Sequence, residues 1–294
     1  MAFTGVDDIV SEIGAGKLQR LPFTRTIDTG ATSAAGRWHS CITTGGTGGA
    51  MTVTGTAGTG IAFNRSTTGA LPLGANVSTD TRHLLNMFGY SPATTAVPAV
   101  LLLTDIIHVY PSCALTGTPS TMSNHPTWTG TGDTRMTNAN GVQVSILTTT
   151  ATTAGNGQIT ISYLDEGGNA GTAGSLYAPS TTTPTGCFWG AANAAVTLGP
   201  PFAALAAGDL GVQRVSSYAI NTGATTGVGA FILHRPIAEI PLVAANTPGE
   251  RSFLNDVLTL PRVYDDSCLA LFINVGGALT ASQTLGGQIT MGWG

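Results

Sequence analysis

The side chains that could carry catalysis in this 294-residue chain are few and far apart. Its four cysteines, Cys41, Cys113, Cys187 and Cys268, each stand dozens of positions from the next. Zinc-binding and redox cysteines come in closely spaced pairs such as Cys-x-x-Cys, so the spacing predicts neither a metal site nor a redox pair. Because cysteine packs as a small apolar side chain, we expect four buried free thiols.

The histidines and carboxylates do not form a catalytic constellation either. His108 and His234 stand in apolar, strand-like runs, where a hydrogen-bonded core histidine is expected rather than a metal ligand. The acids occur as the adjacent pairs Asp7-Asp8, Asp165-Glu166 and Asp265-Asp266. Adjacent residues of a strand point to opposite faces, so these pairs are typical of turns and helix caps rather than of acid–base catalysis. The sequence predicts no catalytic residue, no metal and no cofactor.

One short motif could supply a nucleophile. Gly186-Cys187-Phe188-Trp189-Gly190 resembles the signature of the peptide methionine sulfoxide reductase A family, in which the cysteine begins a helix and attacks the sulfoxide sulfur. The resemblance covers only these residues. Ala192 stands where that family has a glutamate, and no resolving cysteine lies near the C-terminus. A cysteine-dependent reductase using Cys187 is therefore retained only as an alternative function.

The composition excludes several classes of protein. Charged residues make up 9% of the chain, against about 25% in a typical soluble protein, while hydrophobic residues reach 42%. A disordered chain would be richer in charge, and a nucleic-acid-binding protein would carry a basic patch, whereas the formal net charge is -4. No apolar run approaches the ~20 residues of a membrane span, and the first ten residues contain no apolar secretory segment.

What remains is a folded protein with a neutral surface rich in threonine and glycine. Such a surface repels other proteins weakly, so it suits packing against copies of the same chain or against a larger particle. Compositional drift in a GC-rich genome is the alternative explanation of the low charge.

Short strands dominate the predicted secondary structure. The strongest candidate is the apolar run 100–110, which is flanked by Pro98 and Pro111. The alternating segments 142–148 and 158–165, joined by a turn with Asn156-Gly157, predict a hairpin. The stretch 211–241 predicts two more neighbouring strands, and short strands are also expected at 38–43, 51–54, 267–275 and 288–294.

These patterns predict an all-β protein with a β-sandwich or jelly-roll-like fold, a short N-terminal helix and an extended arm. We divide it into an N-terminal arm (1–27), a β domain (28–125) and a C-terminal β-sandwich domain (126–294). The boundary falls in the loop-like residues 111–140, which are rich in proline, glycine, threonine and asparagine.

The N-terminal arm contains the candidate partner-binding residues. Three turns of helix cannot hold themselves in water, so the segment must dock on its own domain or on a neighbour. We favour the neighbour, because a terminus tied down on a partner is a common assembly device. The candidates are the apolar anchors Ile9 and Ile13 and the cations Lys17, Arg20 and Arg25.

Several segments resemble a known group of proteins. Residues 208–213, Leu233-His234-Arg235-Pro236, Gly36-Arg37-Trp38 and the terminal strand are similar to virion proteins encoded near the head genes of tailed bacteriophages. The resemblance implies a capsid decoration or cement protein, a homotrimer seated on the major capsid protein. It also implies a location in the virion after assembly in the host cytoplasm, without nucleic acid or membrane as a partner.

Two further alternatives stay open at this point. One is another virion role, as a tail, neck or fibre component. The other is a carbohydrate-binding sandwich, in which Trp38, Trp128 and Trp189 would stack on sugars.

Overall fold

The structure is a computed structural model, and it describes residues 3–131, 134–153, 157–178, 183–191, 199–222, 226–256 and 259–294. Helix is confined in these residues to α1 (Val6–Gly14) and α2 (Phe253–Asp256), neither of them long enough to cross a membrane. The strands are β1 (Leu18–Thr26), β2 (Arg37–Ser40), β3 (Ile61–Ala62), β4 (Arg82–Tyr90), β5 (Ala99–Ala114), β6 (Gln143–Thr153), β7 (Gln158–Asp165), β8 (Ala170–Thr172), β9 (Leu176–Tyr177), β10 (Val212–Thr222), β11 (Thr226–Leu242), β12 (Gly249–Ser252), β13 (Leu269–Val275) and β14 (Thr284–Trp293). The predicted all-β class with a short N-terminal helix is confirmed.

The strands pair into three antiparallel sheets. A terminal sheet has the order β1-β14-β4-β12, and a small sheet has the order β10-β7-β8 with β9 also on β7. The central sheet has the order β2-β13-β5-β11-β6, with β3 on β5. Its two longest strands, β5 and β11, run side by side over 16 and 17 residues. The apolar run that predicted a buried strand is therefore the middle of the central sheet.

The two edges of the central sheet are joined by residues 186–189. The amide of Phe188 donates to the Trp38 carbonyl (2.9 Å), and the amide of Ser40 donates to the Gly186 carbonyl (2.9 Å), which covers β2. On the other side, the amide of Trp189 donates to Ile146 (2.9 Å), and further bonds link this segment to β6. An exposed strand edge is a template for unwanted pairing, so this closure satisfies both edges at once.

Three buried clusters follow from this arrangement. One lies between the terminal and central sheets, and includes Phe23, Met87, Leu101 and Ile289. A second lies between the small and central sheets and is built on Tyr163, Trp189, Val215 and Phe231. The third is on the opposite face of the central sheet, which the closing segment encloses, and includes Leu102, Phe188, Ile232 and Phe272. The central sheet is buried on both faces, which explains its continuous apolar runs.

The predicted hairpins are wrong in their pairing, although their strands exist. β6 belongs to the central sheet and β7 to the small sheet, and the same holds for β11 and β10. Each pair faces across a core instead of sharing hydrogen bonds; Tyr218 and Phe231 have ring centroids 4.7 Å apart. Alternation determines which face of a strand is buried, but not which strand lies beside it. Residues 154–156 and 223–225 of the predicted turns lie outside the described residues.

Other local predictions have mixed outcomes. Residues 269–275 and 284–293 form the predicted strands β13 and β14. Residues 51–54 alternate between buried and exposed, but they form no strand. The spacing of the apolar residues Phe253, Leu254, Val257 and Leu258 predicts a short helix over 251–261, of which the structure shows α2, and residues 257–258 lie outside the described part of the chain.

The predicted domain limits do not coincide with the sheets. The arm contains β1, which pairs with β14 along its whole length. The central sheet combines β2 and β5 from residues 28–125 with β6, β11 and β13 from residues 126–294. Whether the chain folds as separate units is a different question from strand pairing, so the division into domains stays a prediction.

Gly186 is required where the closing segment begins, and its replacement gives a direct test of the closure. Its φ is +82°, and an added Cβ would lie 2.4 Å from the Asp28 carbonyl oxygen. We expect Gly186→Ala to lower the free energy of unfolding by about 2 kcal/mol or more, since a left-handed conformation alone costs an alanine roughly 1–2 kcal/mol. Urea denaturation would measure the change.

Gly190 is the matched control, because it ends the same motif and a Cβ there meets nothing within 4 Å. We expect Gly190→Ala to leave the free energy of unfolding nearly unchanged. Equal, small effects of the two substitutions would show that the geometry assigned to residue 186 is wrong.

Candidate interaction surface

The motif that resembles a nucleophile signature is part of the closing segment, not of a helix. Cys187 is fully buried, and its backbone carbonyl accepts a hydrogen bond from the Thr148 amide (3.0 Å). Burial raises the pKa of the Cys187 thiol to about 12, so the thiol is protonated near neutral pH. A nucleophilic cysteine needs a lowered pKa and access to substrate. Neither condition is met at this position.

The other cysteines match the expectation of buried free thiols. Cys41, Cys113 and Cys268 are all buried and unpaired, and burial raises the pKa of each. Among the described residues, no group of three or more histidine, cysteine or acidic side chains is arranged to hold a metal ion.

Two histidines are locked into the core as neutral hydrogen-bonded groups. His234 Nδ1 lies 2.8 Å from Thr104 Oγ1, whose own proton goes to the Arg235 carbonyl. Nδ1 must therefore carry the hydrogen, which leaves Nε2 to accept from Ser145 Oγ at 2.8 Å. Burial lowers the pKa of His234 to about 3. This serine–histidine contact has the distances of a catalytic pair, but it is enclosed in the core, so it has a structural role.

His39 repeats the arrangement at the end of β2. Its Nδ1 lies 2.9 Å from the Asp28 carbonyl oxygen and its Nε2 lies 2.9 Å from Ser33 Oγ. Burial lowers the pKa of His39 to about 4. His234 thus follows the expectation of a hydrogen-bonded core residue, and His39 is held in the same way.

A cleft of about 430 Å³ is lined by the charged side chains of Asp80, Arg82, Arg262, Asp265 and Asp266. Arg82 Nη1 lies 3.2 Å from Asp265 Oδ1, and Arg135 Nε lies 3.1 Å from Asp266 Oδ2. A third acid of the cleft, Asp80, pairs with Lys17 at 2.9 Å. Because each carboxylate already has a cationic partner, the cleft holds no poised acid–base pair.

The helix α1 is the feature that best fits an interaction with another protein. It contacts β14, and its buried side is Ile9, with 6% of its surface exposed. Its outward side carries Val6 and Val10, which are 69% and 64% exposed. Positions 6, 9, 10 and 13 form one apolar arc of this nine-residue helix, so the sheet covers the flank with Ile9 and leaves the flank with Val6 and Val10 uncovered.

A shallow groove adjoins the exposed valines. It measures about 310 Å³ and is lined by Phe3, Val6, Leu254 and Leu260 together with His83. Leu254 is 44% exposed, and the Phe3 ring packs against His83 with centroids 5.5 Å apart. We call Val6, Val10, Leu254 and this groove the N-terminal face.

The structure separates the predicted partner-binding residues. Ile9 is buried and Ile13 half-buried against the chain's own sheet, so these anchors hold the helix in place. Lys17 pairs with Glu12 (2.8 Å) and Asp80, while Arg20 is exposed on β1. Arg25 is 1% exposed and donates to the carbonyls of Gly49 and Gly69, so it is not available to a partner. Docking of the arm on a neighbouring subunit stays a prediction.

The sequence pattern does not indicate the residues of the N-terminal face. Val6 and Val10 stand alongside Ile9 and Ile13 at helical spacing and predict one apolar side, yet both valines are exposed. Periodicity identifies apolar positions but cannot show how wide an arc of the helix the rest of the chain covers. Leu254 belonged to a predicted short helix, and nothing in its pattern indicated exposure.

The tryptophans do not form an exposed stacking surface. Trp189 is fully buried, and the half-buried Trp128 donates its indole hydrogen to the Gln213 carbonyl (2.9 Å). Trp38 is half-buried against the third cluster. Trp38, Trp128 and Trp189 therefore do not form the exposed aromatic surface on which sugars would stack.

Comparison with known proteins gives weak likeness to viral particles. No family model and no curated protein matches the chain. The similar solved structures include infectious bursal disease virus Gt strain, 8% identical over 94% of this chain and 81% of that chain, with a TM-score of 0.18. They also include the unassembled KI polyomavirus VP1 pentamer, 12% identical over 98% of each chain, with a TM-score of 0.15. Scores this low do not establish a common fold, so function must be argued from the chain's own geometry.

The buried thiols give a testable consequence for reactivity. We expect the folded protein to react with a thiol reagent at least about 100-fold more slowly than free cysteine near pH 8, because thiolate is the reactive form and burial suppresses it. All four cysteines should react once the protein is unfolded in denaturant. Mass spectrometry of alkylated peptides would identify each site. Rapid labelling of Cys187 in the folded protein would contradict its buried position and revive the reductase alternative.

Proposed function

We propose that this chain is a structural protein of a virus particle, a capsid decoration or cement protein of a tailed bacteriophage. In this proposal it carries out no chemistry. It associates with copies of itself, as a trimer, and with the major capsid protein, and it stabilises the head through those contacts.

The N-terminal face is the observation that carries the proposal. Val6 and Val10 are among the most exposed large apolar side chains of the described residues, and Leu254 and a groove continue the patch beside them. Isolated exposed apolar residues are ordinary, but a contiguous patch with a groove is typical of a protein-binding site. Here it is built on a helix that is too short to fold alone and is held in place by the sheet beneath it.

The distribution of charge supports the same proposal. Several of the few charged groups are used inside the protein: Arg135 Nη1 lies 2.7 Å from Asp105 Oδ1, with 4% and 2% of the side chains exposed. The Asp28 carboxylate accepts hydrogen bonds from the amides of Ile42 (2.9 Å), Thr43 (2.9 Å) and Thr44 (2.7 Å). Because these charged groups are paired inside the protein, few of them would have to lose their water when subunits come into contact.

The position of the chain in the virus particle is a separate question from which of its surfaces makes the contact. Arg20 is exposed on β1, whereas Lys17 already pairs with Glu12 and Asp80, so Arg20 is the cation of the arm that could pair with acidic residues of a shell. Electron microscopy of the native particle would distinguish a head position from a tail, neck or fibre position by its location and symmetry.

Charge placed on the N-terminal face tests the proposal. We expect the double variant Val6→Glu, Val10→Glu to weaken self-association or binding to capsids at least about 100-fold, because burying each valine contributes about 1.5–3 kcal/mol and a buried glutamate costs more. Both side chains are exposed, so thermal stability should change little. Sedimentation velocity and co-sedimentation with undecorated capsids would measure binding.

Val243→Glu is the matched control, since Val243 is 70% exposed, follows β11 and does not line the groove of the N-terminal face. It should leave association unchanged. If the double variant binds as well as the native chain, the N-terminal face is not the contact. If the native chain neither associates with itself nor binds any shell, the structural role fails.

A further inference from the structure

Residues 120–128 form a loop that bridges three parts of the fold, and we call it the histidine loop. The Ser123 amide donates to the Gly58 carbonyl (3.0 Å), and the Gly60 amide donates back to the Ser123 carbonyl (2.9 Å). The Ser120 amide donates to the hydroxyl of Tyr218 on β10 (2.8 Å). The loop thus connects residues 58–60, β5 and β10, and it is anchored by hydrogen bonds and by the buried side chain of Met122.

His108, on β5, holds the middle of the loop. Its Nε2 lies 2.9 Å from the Asn124 carbonyl oxygen, so Nε2 carries the hydrogen. Its Nδ1 is buried without a hydrogen-bond partner. A Cβ on residue 60 would lie 2.0 Å from Nε2, so only a glycine allows the backbone to approach this closely. A second proton on His108 would create a buried N–H with no acceptor, which is costly.

Tyr110 and His125 form the second contact. The Tyr110 hydroxyl lies 2.9 Å from His125 Nδ1, and the rings meet edge to face at 5.8 Å. Burial raises the pKa of Tyr110, so the phenol stays protonated and donates to the neutral imidazole. When Nδ1 of His125 takes up a proton it can no longer accept, so this hydrogen bond must be rearranged.

A third basic group faces the cluster from β10. Burial raises the pKa of Tyr110 and lowers the pKa of His125, and the positive charge of Arg214 favours a lower pKa at both. The Nε of Arg214 is buried without a hydrogen-bond partner. Within the described residues, no carboxylate forms an ion pair with Arg214, His108 or His125. The remaining titratable group facing Tyr110 is the thiol of Cys113, which burial keeps protonated. Every group that faces the cluster from β5, β10 and the loop is therefore neutral or basic.

We propose that this cluster is an acid-sensitive latch. When His108 and His125 both take up protons, they repel each other and Arg214. His108 then has a buried N–H without an acceptor, and the hydrogen bond between Tyr110 and His125 must be rearranged. Residues 120–128 then detach from β5 and β10 while the three sheets stay folded. Because no carboxylate of the described residues pairs with these groups, a fall in pH weakens the attachment of the loop and nothing in the cluster offsets that loss.

The direction of the pH effect follows from proton binding. Burial lowers the pKa of His108 to about 4, and burial together with Arg214 lowers the pKa of His125. In the open loop both return toward the ordinary value of about 6.5. The open state therefore binds more protons in this window, so the closed state is favoured above about pH 6.5 and loses stability as the pH falls toward about 4. Local opening costs less than global unfolding, so the loop responds first.

Hydrogen exchange of the intact protein, followed by mass spectrometry, tests the latch. After correction for intrinsic exchange, the protection of peptides covering residues 118–130 should fall about 20-fold between about pH 7 and about pH 5, the effect expected of His108 alone. Peptides of β14 should keep their protection. Equal protection of the loop at both pH values would overturn the proposal, and so would an equal loss in β14, because that result means global unfolding.

Two substitutions separate charge from structure. Arg214→Glu places a carboxylate beside His125, so the loop should stay protected at about pH 5. Ala219→Glu adds a carboxylate at an exposed position of the same strand and should leave the pH response unchanged. If Arg214→Glu fails to fold, His125→Gln removes one titrating group and should reduce the loss of protection. A folded Arg214→Glu or His125→Gln protein with the native pH response would contradict the latch.

Discussion

The structure depends on four residues that hydrogen-bond to both edges of the central sheet. Residues 186–189 supply backbone donors and acceptors to β2 on one side and to β6 on the other. Phe188 and Trp189 then point to opposite faces, one into the enclosed cluster and one into the core below the small sheet. Without this segment the longest sheet would have two open edges, and two of the three cores would lose a large aromatic side chain.

Closure also explains where the protein can meet a partner. Once the central sheet has no free edge and both its faces are covered, its strands offer no surface for pairing. The large apolar side chains with the highest exposure lie on α1 or next to strand ends, at Val6, Val10, Leu210 and Val243, and Leu254 of α2 is also exposed. Several of the few charged side chains stabilise the interior; Arg25, for example, donates hydrogen bonds to the carbonyls of Gly49 and Gly69. A neutral exterior and a covered sheet are consistent with a protein whose external role is contact.

The class of fold could be predicted from the sequence, whereas its connectivity could not. β5 and β13 were predicted because buried strands of a sheet covered on both faces show continuous apolar runs. The partners of β6, β7, β10 and β11 were predicted wrongly, because a turn that crosses between two sheets has the same composition as one that closes a hairpin. The closing segment is too short to show a periodic pattern. Its sequence therefore indicated a resemblance to a nucleophile motif and not a strand-like edge. The exposure of Val6 and Val10 was not predicted, because the packing of α1 on β14 determines which part of its apolar side is covered.

The pairing of β1 with β14 has a consequence for the order of events during synthesis. Residues 18–26 meet their partner only after residues 284–293 have left the ribosome, so β1 cannot join the terminal sheet before then. The helix α1 rests on that sheet and has no platform before then. The apolar patch that α1 presents is therefore organised only after residues 284–293 have been synthesised, so a shorter nascent chain does not display it in its folded arrangement.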